Sequence, residues 1–288
     1  MLDLDETRES VPPKDAATLL LLRDRPSGPE IFCVERNKKS AFMGGAIVFP
    51  GGKVDALDAD AAWSQITTAP HAAGAGLADD QDHLRALTVA ACRESLEEAC
   101  ILPVSGGALD EAGLRALQSA LTAGSTALRA ALEARRLRLD LGALVPFARW
   151  VTPVAESRRF DARFFVARAP EGQVGAHDEH ETVSSFWATP RDVLARWDEG
   201  RVQLAPPTHR TLTVLSAHAS VDDAIAAALR ASLAPICPRL VPHKDAQGDT
   251  LALVLPGDPE HDVPEARVAG PSRYVLRGER WRSEDPPR

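Results

Sequence analysis

Between Leu84 and Ile101 the apolar residues Val89, Cys92, Leu96 and Cys100 recur at spacings of three and four. At about 100° per residue they share one side of a helix. The segment holds no Gly or Pro, and Pro103 follows as a stop. Asp82 is the predicted N-cap. The side opposite the apolar stripe carries Glu94, Glu97 and Glu98, which stand at i, i+3 and i+4 and therefore point the same way. The pattern predicts a helix with a buried back and an acidic front. Arg93 lies between the two faces, placed to brace a neighbouring loop through a carboxylate or carbonyls.

Elsewhere the pattern alternates between strand and helix. Runs 16–22 and 31–35 read as strands around a Pro-Ser-Gly-Pro turn, and 46–49 as a third, short one. Segments 110–123 and 126–138 are helical by composition, separated by Gly124 and Ser125. Runs 144–150, 163–167 and 183–188 read as strands. Helices are then predicted over 190–198, 208–217 and 221–232, the first with a proline at its start. Beyond Pro235 the pattern shortens to strands and turns at 239–241, 251–255 and 274–277. This alternation gives an α/β class.

Composition narrows the function classes. With 288 residues, 44% of them hydrophobic, the chain can bury a large core. Its net charge of −8 argues against a nucleic-acid binder held by bulk electrostatics. No apolar run approaches a membrane span. The first ten residues are acidic and polar rather than a secretory signal, and Pro286-Pro287-Arg288 forms no peroxisomal address; the expected compartment is cytoplasmic. Cys33, Cys92, Cys100 and Cys237 have no CxxC spacing and read as small core residues.

The candidate chemistry lies on the acidic front. Three carboxylates on one helix face repel one another, which raises their pKa values unless cations sit among them. Hard divalent cations with oxygen ligands are the natural remedy. Upstream, Phe49-Pro50-Gly51-Gly52-Lys53 follows an apolar run; two glycines after a proline predict a tight turn in which backbone approaches a ligand closely. A glycine turn followed by Arg93-Glu94-Ser95-Leu96-Glu97-Glu98 resembles the Nudix box. With Gly52 as its first glycine, Asp58 takes the box's acidic position and Ile101 its closing hydrophobic one. Asp58 replaces glutamate, Ser95 a hydrophobic residue and Cys100 a glycine. The spacing also departs: residues 59–92, 34 in all, separate Asp58 from Arg93 where the family has seven. The part from about 59 to 81 reads as an insertion, either a lid or wall for substrate or a surface loop.

A box split in this way resembles the Nudix branch of the peroxisomal coenzyme A diphosphatases. Arg36-Asn37-Lys38-Lys39-Ser40, Trp150-Val151-Thr152-Pro153 with Arg158-Arg159-Phe160-Asp161, and Phe186-Trp187-Ala188-Thr189-Pro190 support that likeness. The resemblance implies a Nudix α/β/α sandwich with a mixed sheet over 14–232, followed by an extension over 233–288 of unknown role. It implies a diphosphatase using Mg²⁺ or Mn²⁺, with Glu94, Glu97 and Glu98 as metal ligands, Arg93 as a catalytic-site residue, and Glu94 or Glu181 as general base, with Glu179 beside Glu181. Arg36, Lys39, Gly51, Gly52 and Arg159 are the expected substrate contacts; Lys38, Lys53 and Arg158 are further basic candidates. The expected partner is a small nucleotide-type substrate, foremost coenzyme A or acyl-coenzyme A, with ADP-ribose, NADH or a dinucleotide as the alternative class. A Nudix-fold binding module without catalysis is a third reading, and a homodimer is compatible with all three.

Overall fold

The computed structural model describes residues 11–36, 45–176 and 182–287. Strands β1 (Lys14–Arg25) and β2 (Gly28–Arg36) form an antiparallel hairpin closed at Arg25 and Gly28. Gly28 has φ +110°, a conformation an L side chain rarely adopts, so the Pro-Ser-Gly-Pro run turns where the sequence predicted. Two short strands follow, β3 (Ile47–Val48) on β2 and β4 (Gly51–Lys53) on β1. The glycine pair is therefore strand, not the tight turn expected: Gly51 and Gly52 register against Thr18 and Ala17.

Between β4 and the acidic helix the chain makes three 3₁₀ turns, at Ala56–Ala59, Ala61–Gln65 and Ala72–Leu77. They are pinned rather than loose. Trp63, Ile66 and Leu77 are buried in the main core. The Trp63 indole N–H donates to the Leu57 carbonyl (2.9 Å), and Arg129 pairs with Asp60 (2.7 Å). Leu139 ties the stretch down by backbone bonds, its carbonyl accepting from the Thr68 N–H and its N–H donating to the Ile66 carbonyl.

Helix α1 (Gln81–Ala99) starts one turn earlier than predicted. Its N-cap is Asp80, whose carboxylate accepts from the His83 N–H at 2.8 Å. Asp82 instead lies in the first turn, where its charge favours the helix N-terminus. The predicted apolar back is buried: Val89, Cys92 and Leu96 are fully inaccessible and Cys100 nearly so. The helix ends at Cys100 in the left-handed conformation (φ 51°), the geometry glycine commonly takes there. Buried Ser95 compensates, donating its hydroxyl to the Ile101 carbonyl at 2.8 Å. The two departures at Ser95 and Cys100 are thus one local solution.

Next come β5 (Val104–Ser105), α2 (Glu111–Thr122), α3 (Ser125–Ala134) and β6 (Arg138–Leu139), β5 and β6 pairing with each other. The second of these helices stops short of the predicted residue 138. Arg136 turns left-handed (φ 57°) and the Leu137 N–H reaches back to the Leu132 carbonyl, a helix-ending bond. Strands β7 (Val145–Val151), β8 (Phe160–Arg168) and β9 (Thr182–Ala188) complete a seven-stranded mixed sheet. Its spine runs β3-β2-β1-β8-β7, with β1 and β8 parallel. Helices α4 (Pro190–Asp198), α5 (Pro206–Leu215) and α6 (Val221–Ala228) follow. The chain ends in an antiparallel sheet of β10 (Arg239–Asp245), β11 (Gly248–Val254), β12 (Arg273–Arg277) and β13 (Arg280–Glu284), the last not foreseen.

Period-two alternation divides the large sheet. Ala17, Leu19 and Leu21 face α1 and the helix pair α2–α3. Leu20 and Leu22 face the other way, onto a second core with Val193, Leu212, Val221, Leu253 and Tyr274. The C-terminal sheet shares that core, so Leu251 and Leu253 of its β11 reach the same apolar layer as β1. Cys33, Cys92 and Cys100 are buried, as expected; burial pushes the Cys33 thiol up to about 12. No helix among the described residues is long and apolar enough to cross a membrane.

Candidate active site

Helix α1 presents Arg93 toward β4 and the turn before the insertion. The guanidinium grips Asp58 through two parallel bonds, Nε to Oδ1 (2.9 Å) and Nη2 to Oδ2 (3.0 Å). Nη2 also donates to the Lys53 carbonyl (2.9 Å). Arg93 therefore braces the loop as the sequence suggested, using both a carboxylate and a carbonyl. Its Nη1 donates to Glu94 Oε1 (2.8 Å) and Glu97 Oε2 (2.9 Å), holding these carboxylates side by side. Burial opposes the arginine's charge, but the bonds to Asp58 and the fields of Glu94 and Glu97 outweigh it, so its pKa is raised.

Glu98 reaches the other way, its Oε2 accepting from the Gly51 N–H at 3.1 Å. The three carboxylates thus gather around one arginine and one strand edge. Burial, joined by the charges of Glu97 and Asp58, pushes Glu94 up to about 7 against the pull of Arg93. Burial thus outweighs the one arginine bonded to it. The donor set is all carboxylate oxygen, the kind hard divalent cations take, so the residues present fit such a metal. A second carboxylate group lies far along the chain, where His243, Asp245 and Glu284 bring ligand atoms within 4.8 Å of one another. In the C-terminal trio, however, Arg277 already supplies the cation, bonding Asp245 (2.5 Å) and Glu284 (2.7 Å).

The glycines explain how helix and sheet approach so closely. A Cβ on Gly52 would run into the Glu94 carboxylate, whereas one on Gly51 would meet the Ala17 carbonyl and Thr18 Oγ1 at 2.7 Å. The missing Cβ of Gly52 thus makes room for α1, and that of Gly51 for the backbone of the paired strand β1. Gly52→Ala is expected to displace Glu94, the end of a flexible side chain, and lower turnover at least tenfold while the melting temperature stays within about 3 °C. Gly51→Ala, which strikes backbone, is expected to lower the melting temperature as well. Thermal melts beside steady-state rates separate the two.

Both glycines line a cavity of about 420 Å³. Arg36, Lys53 and Arg158 line it too, with Thr18 and Thr152. The Arg36 Nε is buried and has no hydrogen-bond partner among the described residues. Arg159, an expected substrate contact, does not line this cavity. It is buried, donating to the carbonyls of Thr152 (3.1 Å) and Val11 (2.8 Å), and ties the β7–β8 turn to the chain before β1. Its exposed neighbour Arg158 occupies the place expected of it. None of the insertion lines the cavity, whose far wall comes from Ala205, Pro206, Pro207, Pro238 and Leu253. Sequence reading missed these apolar residues. Lys38, Lys39, Glu179 and Glu181 lie outside the described residues.

Residues 77–215 match the family described as the NUDT19 Nudix domain. A solved NUDIX hydrolase from Alicyclobacillus acidocaldarius is 33% identical, with a TM-score of 0.64 over 75% of this chain and 96% of that one. The chain belongs to the Nudix hydrolase family. Among curated relatives of this Nudix hydrolase, the acyl-coenzyme A diphosphatase NUDT19 of Gallus gallus is 27% identical, covering 85% of this chain and 79% of that protein. Its Homo sapiens counterpart is 28% identical over 80% and 72%. Nudix membership makes the chain a diphosphatase and brings a requirement for divalent metal.

Proposed function

We infer that this Nudix hydrolase cleaves the diphosphate of coenzyme A or an acyl-coenzyme A, giving an adenosine bisphosphate and a (acyl-)phosphopantetheine. One observation carries the reading: the carboxylate helix and a cavity bearing Arg36 and Arg158 meet across two glycines, so a diphosphate laid on β4 touches both. The relatives named as acyl-coenzyme A diphosphatases support the choice of substrate.

Glu94, Glu97 and Glu98 would hold the metal, Mg²⁺ or Mn²⁺. When bound, the metal supplies Lewis-acid polarisation of a phosphoryl oxygen and acidification of water. The protein's own residues do the positioning on which phosphoryl transfer depends. Arg93 fixes Glu94 and Glu97 and is itself fixed by Asp58. Arg36 and Arg158 receive phosphate oxygens, and the Arg36 Nε, which has no partner among the described residues, is a donor for one. Water attacks one phosphorus, the bridging P–O bond breaks, and the water's proton passes to a carboxylate. Glu94 or Glu181 is that base; Glu181→Gln with unchanged turnover would leave the task to Glu94.

The raised Glu94 value gives a pH prediction. The folded protein favours the neutral carboxyl, so this group's contribution to stability is complete below its unfolded value and is lost as pH climbs through about 7. Metal must displace that proton. Mg²⁺ binding is therefore expected to tighten about tenfold from pH 6 to pH 8 and to release up to one proton. Calorimetry in two buffers of different ionisation enthalpy measures both; equal affinity at the two pH values would remove Glu94 from the metal set.

The function is tested with a panel of free coenzyme A, acyl-coenzyme A, ADP-ribose, NADH and a nucleoside triphosphate, with products identified by mass. Cleavage of the coenzyme A compounds at the diphosphate is the expected result. Preference for ADP-ribose would overturn the substrate while leaving the reaction; no cleavage with either metal would overturn both.

A further inference from the structure

The cavity beside the two glycines is divided by chemistry. Arg36, Lys53 and Arg158 supply its charge. The apolar half of the lining is formed by Phe160 and Phe164 of β8, Pro206 and Pro207 at the head of α5, and Pro238 and Leu253 of the C-terminal segment. Three of its residues are prolines, which have no N–H, so the backbone there offers few donors. An adenine placed in it would leave ring nitrogens unpaired, at a desolvation cost for each buried acceptor. An aliphatic chain has no polar atoms to satisfy.

The C-terminal segment lies outside residues 77–215, the part that matches the Nudix-domain family. Yet Leu253, about 200 positions from β4 in sequence, is fully buried and forms part of the same cavity. It sits in the core layer shared with Leu20 and Phe164 of the large sheet. The wall is therefore held by packing and is not a passing contact.

We propose that the apolar half of this cavity, closed by Pro238 and Leu253 of the C-terminal segment, binds the acyl chain of a thioester substrate and sets chain-length preference. The proposal rests on the coenzyme A reading above. The diphosphate lies at the glycines, the pantetheine arm crosses toward Phe160, and the chain packs against the prolines and Leu253. Each methylene buried there contributes about fourfold in affinity.

The test narrows this half from two sides. Ala205 stands half-buried at the start of α5, and Leu253 closes the C-terminal wall. Wild type, Ala205→Trp and Leu253→Phe are assayed for kcat/KM on dodecanoyl-coenzyme A, free coenzyme A and ADP-ribose, with thermal melts alongside. Both variants are expected to lose at least tenfold more on dodecanoyl-coenzyme A than on free coenzyme A, chiefly through KM. If Leu253→Phe fails to fold, Ala205→Trp decides alone. Equal losses on all three substrates would mean that the pocket takes the adenosine they share, and would overturn the proposal, as would no loss on any. A wild type that cleaves ADP-ribose but no coenzyme A compound overturns the function itself; a wild type that cleaves coenzyme A compounds with variants that fail to discriminate overturns only the acyl pocket.

Discussion

Glu98→Gln is expected to lower metal-dependent turnover by about 10²–10³-fold while leaving the fold intact. The structural half of this expectation comes from the bond Glu98 makes. Its Oε2 accepts from the Gly51 N–H at 3.1 Å, and a glutamine carbonyl can accept the same bond. The α1–β4 junction should hold, with a melting temperature within about 3 °C of wild type. The chemical half comes from charge. Three carboxylates share the work of holding a divalent cation, and loss of one removes several kcal/mol of electrostatic stabilisation at the developing phosphoryl charge. Each 1.36 kcal/mol is tenfold in rate, so about 3–4 kcal/mol gives the stated loss. Rates measured across a metal titration, together with a melt, test both halves. Turnover equal to wild type at saturating metal would take Glu98 out of the metal set and with it the proposed site.

The face of α1 was readable because a helix writes its burial into a local period. Val89, Cys92, Leu96 and Cys100 mark the back, and the glutamates the front, without any tertiary information. Its start was misplaced because Asp80 and Asp82 are both good caps; only the hydrogen bond to His83 decides between them. Gly51 and Gly52 were misread as a turn for a related reason. A three-residue strand leaves no period to read, and its identity comes from β1, more than 30 positions away. The arginines show the same limit at finer grain. Arg158 and Arg159 are adjacent and chemically equal in sequence, yet one faces the cavity and the other is buried against carbonyls. The apolar half of the cavity was out of reach altogether, since it joins β8, α5 and β11 through contacts that no local window contains.

Asp58→Ala is expected to destabilise the protein by about 3 kcal/mol, because it strands a buried cation. The Asp58 side chain is wholly inaccessible and Arg93 nearly so. Their two-bond pairing is the deepest ion pair of the site, and the second Asp58 oxygen also accepts from the Asp55 N–H at 2.8 Å. Removing the carboxylate leaves that N–H and two guanidinium nitrogens without their acceptor. Glu94 and Glu97 remain on Nη1 and soften the loss, which places the figure at the low end of the 3–5 kcal/mol seen when one member of a buried pair is deleted. At about 2–4 °C per kcal/mol for chains somewhat shorter than this, the melting temperature should fall by roughly 6–12 °C. The loss should change little with added salt, since buried pairs are weakly screened. A fall under 3 °C would mean that Glu94, Glu97 and the Lys53 carbonyl hold Arg93 without Asp58. In that case Asp58, the shortened acid of the split box, would be a bystander to the arginine that sets the carboxylates in place.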